Sequence, residues 1–202
     1  MDKVIKIKDE FYIAAKSSYA DDRTRVLKHG DTFAIFDRHG DIQPLGLGEQ
    51  GLYHEGTRFL SRSALLINGT DRPLLLSSNV KDDNVLLRVD LTTADLYDNG
   101  NLILPRGTVH LQRTKFLWKG VCYERIRVRN FGKDPVRFAF KIEWDEDFQD
   151  IFEVRGMRRR RRGRRFKPEV RENQLVYSYR GLDRILRRSR LTCTPKPTKL
   201  SE

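Results

Sequence analysis

Apolar and polar residues alternate with a period of two along most of the chain after Arg25. In residues 85–91, Val, Leu, Val and Leu occupy every second position. Residues 121–130 alternate Cys, Ile and Val with three arginines, and residues 136–144 place Val, Phe, Phe, Ile and Trp on one side. Successive side chains of a β-strand point to opposite faces of its sheet. The alternation therefore predicts strands with one buried face and one wet face.

Turn-forming residues separate these segments at intervals of roughly 8–12 residues, which is typical of an all-β protein. A strand over residues 58–68 is expected to end at Asn68-Gly69, a dipeptide that favours hairpins, with residues 73–80 as its return strand. Residues 130–135 are expected to form the turn between the segments 121–130 and 136–144. These hairpins predict an antiparallel β-sandwich in which each sheet buries one face.

A last hairpin is expected near Gly181, between strands at 175–179 and 182–191. The sequence contains no convincing long amphipathic helix and no internal repeat. We expect one domain over residues 25–194, an N-terminal tail or edge strand over residues 1–24, and a C-terminal tail over residues 195–202.

Cysteine and histidine are too scattered to suggest a disulfide framework or a metal site. The chain has only Cys122 and Cys193, and its four histidines are unclustered. We expect two buried, reduced thiols, no metal and no cofactor. The first residues contain charges where a signal peptide needs an apolar run, and no segment is apolar enough to span a bilayer. These features predict a cytoplasmic protein without a membrane partner.

The formal charge of +12 comes largely from one short segment. Residues 155–167 contain nine Lys and Arg and no Asp or Glu, so the rest of the chain carries a surplus of only about three positive charges. Seven arginines occupy eight positions of this segment: Arg158, Arg159, Arg160, Arg161, Arg162, Arg164 and Arg165. Such a patch suggests a polyanion, an acidic surface or a sugar as its partner.

Five stretches together resemble one family. They are FAIFDRHGDI (33–42), GLYHEGTRFLSR (51–62), LLLSSNVKDDN (74–84), FLWKGVCYERIRVRNFG (116–132) and DFQDIFEVRGMRRRRRG (147–163). The chain from about Thr32 to Thr194 is similar to the N-terminal domain of bacterial amylo-α-1,6-glucosidases, the glycogen-debranching-type enzymes. The last stretch is the most specific, because an aromatic and acidic run leading into an arginine run is rare by chance.

The resemblance implies a supersandwich-like domain that packs against a helical (α/α) barrel, and it places the hydrolysis of α-1,6 branches in that barrel. The catalytic carboxylates of the family belong to the barrel, so the resemblance assigns none to this chain and the chain alone is not expected to be an enzyme. It also implies a further strand after Thr194, whereas Pro195-Lys196-Pro197 leads to a short polar end. The chain is therefore expected to be a fragment or the product of a broken gene. At Gly56 the family pattern has Asp, which puts any polar role of that position in doubt.

Six acidic residues lie between Glu143 and Glu153, directly before the arginine run. We expect the basic loop to fold back on these carboxylates or to dock on the missing domain, with a polyanion patch and a sugar contact as open alternatives. Glycosidases use two carboxyl groups, and Asp145, Asp147 and Asp150 have the right chemistry. Closely spaced surface carboxylates more often pair with cations, and the sequence shows no carboxyl in an apolar pocket.

Contacts to an α-glucan are expected from aromatic rings and from polar side chains at sugar hydroxyls. The candidates are Tyr53, His54, Arg58, Trp118, Asp147 and Arg155. Tyr53, His54 and Arg58 lie in a glycine-rich connection, which can equally be an ordinary surface loop. Trp144 continues an apolar face and is expected in the core. A nucleic-acid-binding module that uses the arginine run, and a small enzyme in its own right, are the competing functional classes.

Overall fold

The computed structural model describes residues 4–7, 10–13, 24–44, 48–69, 72–81 and 83–201. Within these ranges the chain is almost entirely β-structure with one short helix. Helix α1 is Ile151–Val154. The strands are β1 (Val4–Ile7), β2 (Glu10–Ile13), β3 (Thr24–His29), β4 (Thr32–Asp37), β5 (Gly51–His54), β6 (Thr57–Leu60), β7 (Arg62–Ile67), β8 (Leu74–Lys81), β9 (Leu86–Thr92), β10 (Leu96–Asp98), β11 (Asn101–Leu104), β12 (Val109–Trp118), β13 (Val121–Asn130), β14 (Phe140–Asp145), β15 (Arg164–Arg165), β16 (Glu169–Arg171), β17 (Gln174–Arg180) and β18 (Leu186–Thr192).

Antiparallel sheets of two or four strands build the fold. One sheet has the order β13-β12-β9-β8, and a second has the order β3-β4-β5-β6. A third surrounds β17, which pairs with β15, β16 and β18. The pairs β14-β7, β10-β11 and β1-β2 complete the described strands. The all-β antiparallel sandwich predicted from the alternation is confirmed.

The main apolar core collects alternate residues from the sheets β13-β12-β9-β8 and β3-β4-β5-β6 and from the pair β14-β7. It includes Leu27 from β3, Phe36 from β4, Leu65 from β7, Val89 from β9 and Leu111 from β12, each at most 1% exposed. In β12 the odd-numbered residues are buried and the even-numbered ones face outward. The pleat of a strand enforces this division, and burying the apolar side chains stabilises the packing of the two layers.

A smaller apolar cluster lies under the sheet that surrounds β17. Phe148, Leu175 and Tyr177 are its buried members, with Trp144 and Leu200 packed against it. The expected hairpin near Gly181 is confirmed, because β17 and β18 pair antiparallel over their whole length. Trp144, which was expected in the core, is half-buried and packs against this smaller cluster. This second cluster supports the segment that leads into the arginine run.

Two of the expected hairpins are wrong. Residues 57–67 form two strands that break at Ser61, and β7 pairs with β14 instead of with β8. Asn68 and Gly69 do form a tight turn, but the backbone N–H of Asn68 donates to Ala139 O over 2.8 Å. After this turn the chain therefore continues in another sheet. The alternation of a strand predicts which of its faces is buried, but it does not predict which strand lies beside it.

The expected pairing of 121–130 with 136–144 is likewise wrong, because β13 pairs only with β12 among the described strands. The second segment is a strand only from Phe140 onward, and Phe140 itself is 42% exposed. Val85 is 53% exposed, since it lies in the turn before β9.

Cys122 and Cys193 are free thiols, as expected, but both are half-buried and not fully buried. Burial raises the pKa of each thiol. Most of the tail assigned to residues 1–24 lies outside the described residues. Within this tail the structure describes the β1-β2 pair and Thr24. In the part of the chain that the structure describes, no helix has the length and apolar character needed to cross a bilayer.

Candidate functional site

The β5-β6 hairpin and the segment 147–151 are joined by main-chain hydrogen bonds. The N–H of Arg58 donates to Gln149 O over 2.7 Å, and the N–H of Ile151 donates to Gly56 O over 2.8 Å. Thr57 and Asp150 form an isolated β-bridge between these two bonds. The structure therefore brings together two of the stretches that carry the family resemblance, 51–62 and 147–163. We call residues 48–58 and 145–165 together the motif junction.

Arg58 is the centre of the motif junction, although it is only 8% exposed. Its Nε and Nη2 donate to both carboxylate oxygens of Asp147, and Nη1 donates to Gly48 O over 2.5 Å and to Gln50 O over 3.2 Å. Burial opposes its charge, but the hydrogen bonds and charge of Asp147 raise the pKa of Arg58. A Cβ at Gly51 would lie 2.5 Å from the Arg58 side chain, so glycine is required there.

Tyr53 and His54 are held by neighbouring strands. The Tyr53 hydroxyl donates to Glu49 O over 2.7 Å, and its ring stacks on Phe33 with centroids 4.6 Å apart. Burial raises the pKa of Tyr53. His54 Nδ1 shares a hydrogen bond of 2.8 Å with Thr32 Oγ1. Tyr53 is 1% exposed, so its side chain supports the hairpin from inside.

The six candidate sugar-contact residues occupy two places. Tyr53, His54, Arg58 and Asp147 lie within the motif junction, and Arg155 is exposed at the end of α1. Trp118 lies on β12 in another sheet and is 51% exposed. Arg58, Asp147 and Tyr53 direct their polar atoms at protein partners. The exposed members of the set are Trp118 and Arg155.

A capping box begins helix α1 and fixes the start of the basic loop. Asp150 accepts from the N–H groups at the first turn, and the Glu153 carboxylate accepts from the Asp150 N–H over 3.1 Å. Phe148 just before it has a φ of 47° and packs its ring against Phe59 and Tyr179. This left-handed residue turns the chain so that its ring is buried while the following carboxylates face the loop.

Three arginines of the run fold back on the preceding acids, as expected. Arg159 lies 3.3 Å from Asp150, and Arg162 lies 3.4 Å from Glu153 and donates to Asp147 O over 3.0 Å. Arg165 donates to Glu146 Oε1 over 2.8 Å. These pairs are one-third to one-half exposed on the arginine side, so each orients the loop more than it stabilises the fold.

The other arginines of the run point away from these carboxylates. Arg158, Arg160 and Arg161 are exposed and have no carboxylate partner among the described residues. The Arg164 guanidinium lies 5.2 Å from the centre of the Phe166 ring, a cation–π distance. The anchored loop therefore presents a group of positive charges at its tip, and Arg155 at the end of α1 is exposed as well.

Glu146 is a buried carboxyl that the sequence analysis did not single out. It is 5% exposed, and burial raises its pKa against the opposing effect of Arg165. Its Oε2 atom has no hydrogen-bond partner among the described residues. The neighbouring Asp147 and Asp150 are bound by arginines and by the α1 backbone. This arrangement holds a loop and does not present the open pair of carboxyl groups that glycoside hydrolysis needs.

A second charged cluster, also missed from the sequence, is buried inside the sandwich. Arg113 is fully buried and donates to Glu124 over 2.6 Å, to Asp41 over 2.5 Å and to His39 O over 2.8 Å. Lys115 donates to the other Glu124 oxygen over 2.7 Å, and Arg72 binds Asp41 from outside. We call these five charged residues the Arg113 cluster. In the sequence, the sign of this cluster is that two basic residues, Arg113 and Lys115, occupy positions of β12 at which the alternation places apolar residues.

The Arg113 cluster explains the stretch 33–42. The carboxylate of Asp37 accepts from the N–H groups of His39 and Asp41, which closes the loop after β4. Asp41 is thereby placed 2.5 Å from Arg113, and its Oδ1 also accepts from the Leu65 N–H. No group of three or more His, Cys, Asp or Glu side chains with the arrangement of a metal site occurs among the described residues.

The described residues thus form an all-β sandwich in which two of the five family-like stretches are joined by main-chain hydrogen bonds. Residues 27–202 match the family described as the N-terminal domain of (some) glycogen debranching enzymes. The match covers most of the chain, and the chain belongs to this family. The resemblance found in the five sequence stretches is confirmed. No curated protein and no solved structure gives a match.

Proposed function

We propose that this sandwich, over residues 25–194, packs against a helical (α/α) catalytic barrel of a debranching enzyme and helps to shape its α-glucan cleft. Membership of the debranching-enzyme family supports the existence of a catalytic partner. The observation that carries the proposal is the motif junction, where two separate stretches of the family pattern are locked together. The domain itself has a structural role in this proposal, and the chemistry belongs to the partner.

The tip of the basic loop is the proposed docking element. Arg158, Arg160 and Arg161 project from a loop whose base is fixed by Arg159, Arg162 and Arg165. A loop that is already ordered loses little conformational entropy on binding, which favours a defined interface. Its partner surface on the barrel should be acidic, since charge complementarity selects the partner and sets the orientation.

The candidate glucan-contact residues also divide into residues that hold the structure in place and residues near the surface. Arg58, Asp147 and Tyr53 hold the hairpin 51–58 in place, and His54 and Arg155 are the members near the surface of the motif junction. A glucan that enters the cleft would meet Arg155 and the loop tip, whose guanidinium groups can donate to sugar hydroxyls.

The test combines the chain with a separately produced catalytic domain of a glycogen debranching enzyme. Size-exclusion chromatography should show a complex, and that complex should dissociate as ionic strength rises. The triple variant Arg158→Glu, Arg160→Glu, Arg161→Glu should abolish co-elution. The matched control reverses Arg125, Arg127 and Arg129 on β13, which changes net charge equally and should leave the complex intact. Absence of a complex, or equal loss in both variants, contradicts the proposal.

Activity assays test whether catalysis belongs to the partner domain and not to this chain. The chain alone should release no glucose from a branched limit dextrin, because its carboxylates at the motif junction are bound by arginines and the helix backbone. Glucose release above that of a buffer blank would show that the domain is itself catalytic.

The exposed tip also favours one competing function, a polyanion or nucleic-acid patch. The three exposed guanidinium groups of Arg158, Arg160 and Arg161 would give heparin retention and a salt slope of about three phosphate contacts in DNA binding. We place this second, because three arginines of the run are already paired with carboxylates and the charge outside the loop is nearly balanced.

A further inference from the structure

The outward face of the sheet β13-β12-β9-β8 carries exposed aromatic rings at one end. Phe116 and Tyr123 are opposite each other in register, and their rings stack with centroids 4.8 Å apart. Trp118 is next to them on β12 and opposes Val121. Phe116, Trp118 and Tyr123 are 40%, 51% and 44% exposed. Large rings that are exposed together on one sheet face are typical of a binding surface.

Polar side chains continue the same face beyond the rings. Arg125 opposes Thr114, and Arg127 opposes Gln112 on the neighbouring strand. Asp90 on β9 accepts from Gln112 over 3.0 Å and from Ser77 over 3.0 Å. These bonds and the nearby Arg88 lower the pKa of Asp90 against the effect of burial. Gln112 and Ser77 are therefore held in place by the Asp90 carboxylate.

The opposite face of these strands anchors the surface to the core. Leu87, Val89 and Leu91 on β9 and Val109 and Leu111 on β12 are fully buried. A sheet packed on one side in this way cannot bend to hide its exposed rings. His29 from β3 contacts the Trp118 ring with centroids 4.7 Å apart and limits the rotation of the indole. The outward face is a preformed platform.

We propose that Phe116, Trp118 and Tyr123, with Arg125 and Arg127, form a surface that binds an α-glucan chain, away from the catalytic cleft. This inference rests on the proposed function, which supplies the class of ligand, and it assigns a second, separate contact with that ligand. A glucan exposes C–H faces that pack on aromatic rings and hydroxyls that accept from guanidinium groups. The platform offers both kinds of partner in adjacent rows.

Two tryptophans make the proposal measurable in the isolated chain. Trp118 is exposed on the platform, and Trp144 lies in the second apolar cluster. The variant Trp144→Phe leaves Trp118 as the fluorophore, and titration with maltoheptaose should change its emission saturably. The variant Trp118→Phe leaves Trp144, whose emission should not respond. Circular dichroism verifies that both variants keep the β-fold.

Affinity electrophoresis through glycogen gives a second readout that does not depend on either fluorophore. Trp118→Ala and Tyr123→Ala should each weaken retardation by up to about tenfold, the effect expected when one stacked ring is lost. Tyr97→Ala is the matched control, because Tyr97 is an exposed aromatic residue, 63% exposed, on the β10-β11 hairpin. Retardation of this control should equal that of the unaltered chain.

The outcomes distinguish a failure of the proposed glucan surface from a failure of the proposed docking on the catalytic domain. A silent Trp118 signal with maltoheptaose and unretarded migration in glycogen overturn the glucan surface, whether or not the catalytic domain binds. A Trp118 response to heparin but not to maltoheptaose overturns it in favour of an anionic ligand. Equal weakening in Tyr97→Ala also contradicts it. Loss of the Trp118 response only when the catalytic domain is bound would show that this face is the domain interface and would overturn the proposal.

Discussion

Arginine is buried in the interior of the sandwich, whereas it is exposed on the basic loop at 155–165. Inside, Arg113 is completely buried and meets two carboxylates and a carbonyl oxygen. On the loop, each paired arginine is at least 40% exposed and lies 2.8–3.4 Å from its carboxylate, farther than Arg113 lies from Asp41 and Glu124. The chain therefore contains a closed charge network and an open one.

The difference teaches what each network contributes. A buried ion can be retained only if several partners replace its lost hydration, and removal of one partner leaves an uncompensated charge. The two charges of an exposed ion pair are solvated by water whether or not the pair forms, so the pair contributes little to stability. We therefore expect the Arg113 cluster to hold the two layers in one arrangement, and the loop to be available for recognition.

The largest expected effect comes from Arg113→Met. This change leaves Asp41 and Glu124 without their shared partner and should lower the free energy of unfolding by about 3–5 kcal/mol. Urea unfolding followed by circular dichroism measures it. Arg113→Met combined with Asp41→Asn should recover part of the loss, because Arg72 still binds Asp37 and Lys115 still binds Glu124, so that no charge is left without a partner of opposite sign. A loss below about 1 kcal/mol would contradict the closed network.

Acid should weaken the same network. Burial favours the neutral form of Glu124, but Arg113 and Lys115 override it and lower its pKa to about 2. Since the folded-state pKa lies below the ordinary value of 4.5, the stabilisation is complete above about pH 4.5 and is lost as pH falls towards 2. The contribution is up to about 3 kcal/mol. The difference in unfolding free energy between the unaltered chain and Glu124→Gln should shrink over this range.

Gly40→Ala tests how tightly the loop after β4 covers the Arg113 cluster. Gly40 has a φ of +76°, and a Cβ there would lie 3.3 Å from Val89 and 3.4 Å from Lys115. Gly100 has a φ of +82° with nothing within 4 Å, so Gly100→Ala reports the backbone strain alone. We expect losses of about 2 kcal/mol and about 1 kcal/mol respectively. Equal melting temperatures would refute the packing contribution.

The smallest effect is expected on the loop. Replacing Arg158, Arg160 and Arg161 together by Ala should change the free energy of unfolding by less than about 0.5 kcal/mol, because these side chains are exposed and unpaired among the described residues. Thermal unfolding at low and high salt measures it. A loss above about 2 kcal/mol would mean that the tip is part of the fold, and the comparison between the two networks would fail.

The sequence predicted most of the strands and few of their partners. The alternation located β9 and β13 to within a few residues, and the short turn at Gly181 correctly predicted the β17-β18 pair. The turn at Asn68-Gly69 was equally well marked, yet its strands joined different sheets. A tight turn dictates a local reversal, and long-range packing decides whether the two strands stay together.

The candidate site shows the same limit. The arginine run and its acidic neighbours were visible as charge patterns, and three of the expected internal pairs are present. The roles of Arg58 and Asp147 were not visible, because residues 89 positions apart meet only after the hairpin and the segment 147–151 have joined. The Arg113 cluster was missed because basic residues at buried strand positions signal a network only when their carboxylates are known.

The sequence by itself determined the strand alternation, the basic segment and the family stretches, since these depend on residues that are close together along the chain. Only the tertiary structure decided which strands are neighbours, which charges are buried and which rings stay exposed. The physical reason is that backbone hydrogen bonds between strands are nearly independent of residue type. Their choice of partner, and with it the surroundings of Arg58, Arg113 and Trp118, is made by the packing of the whole core.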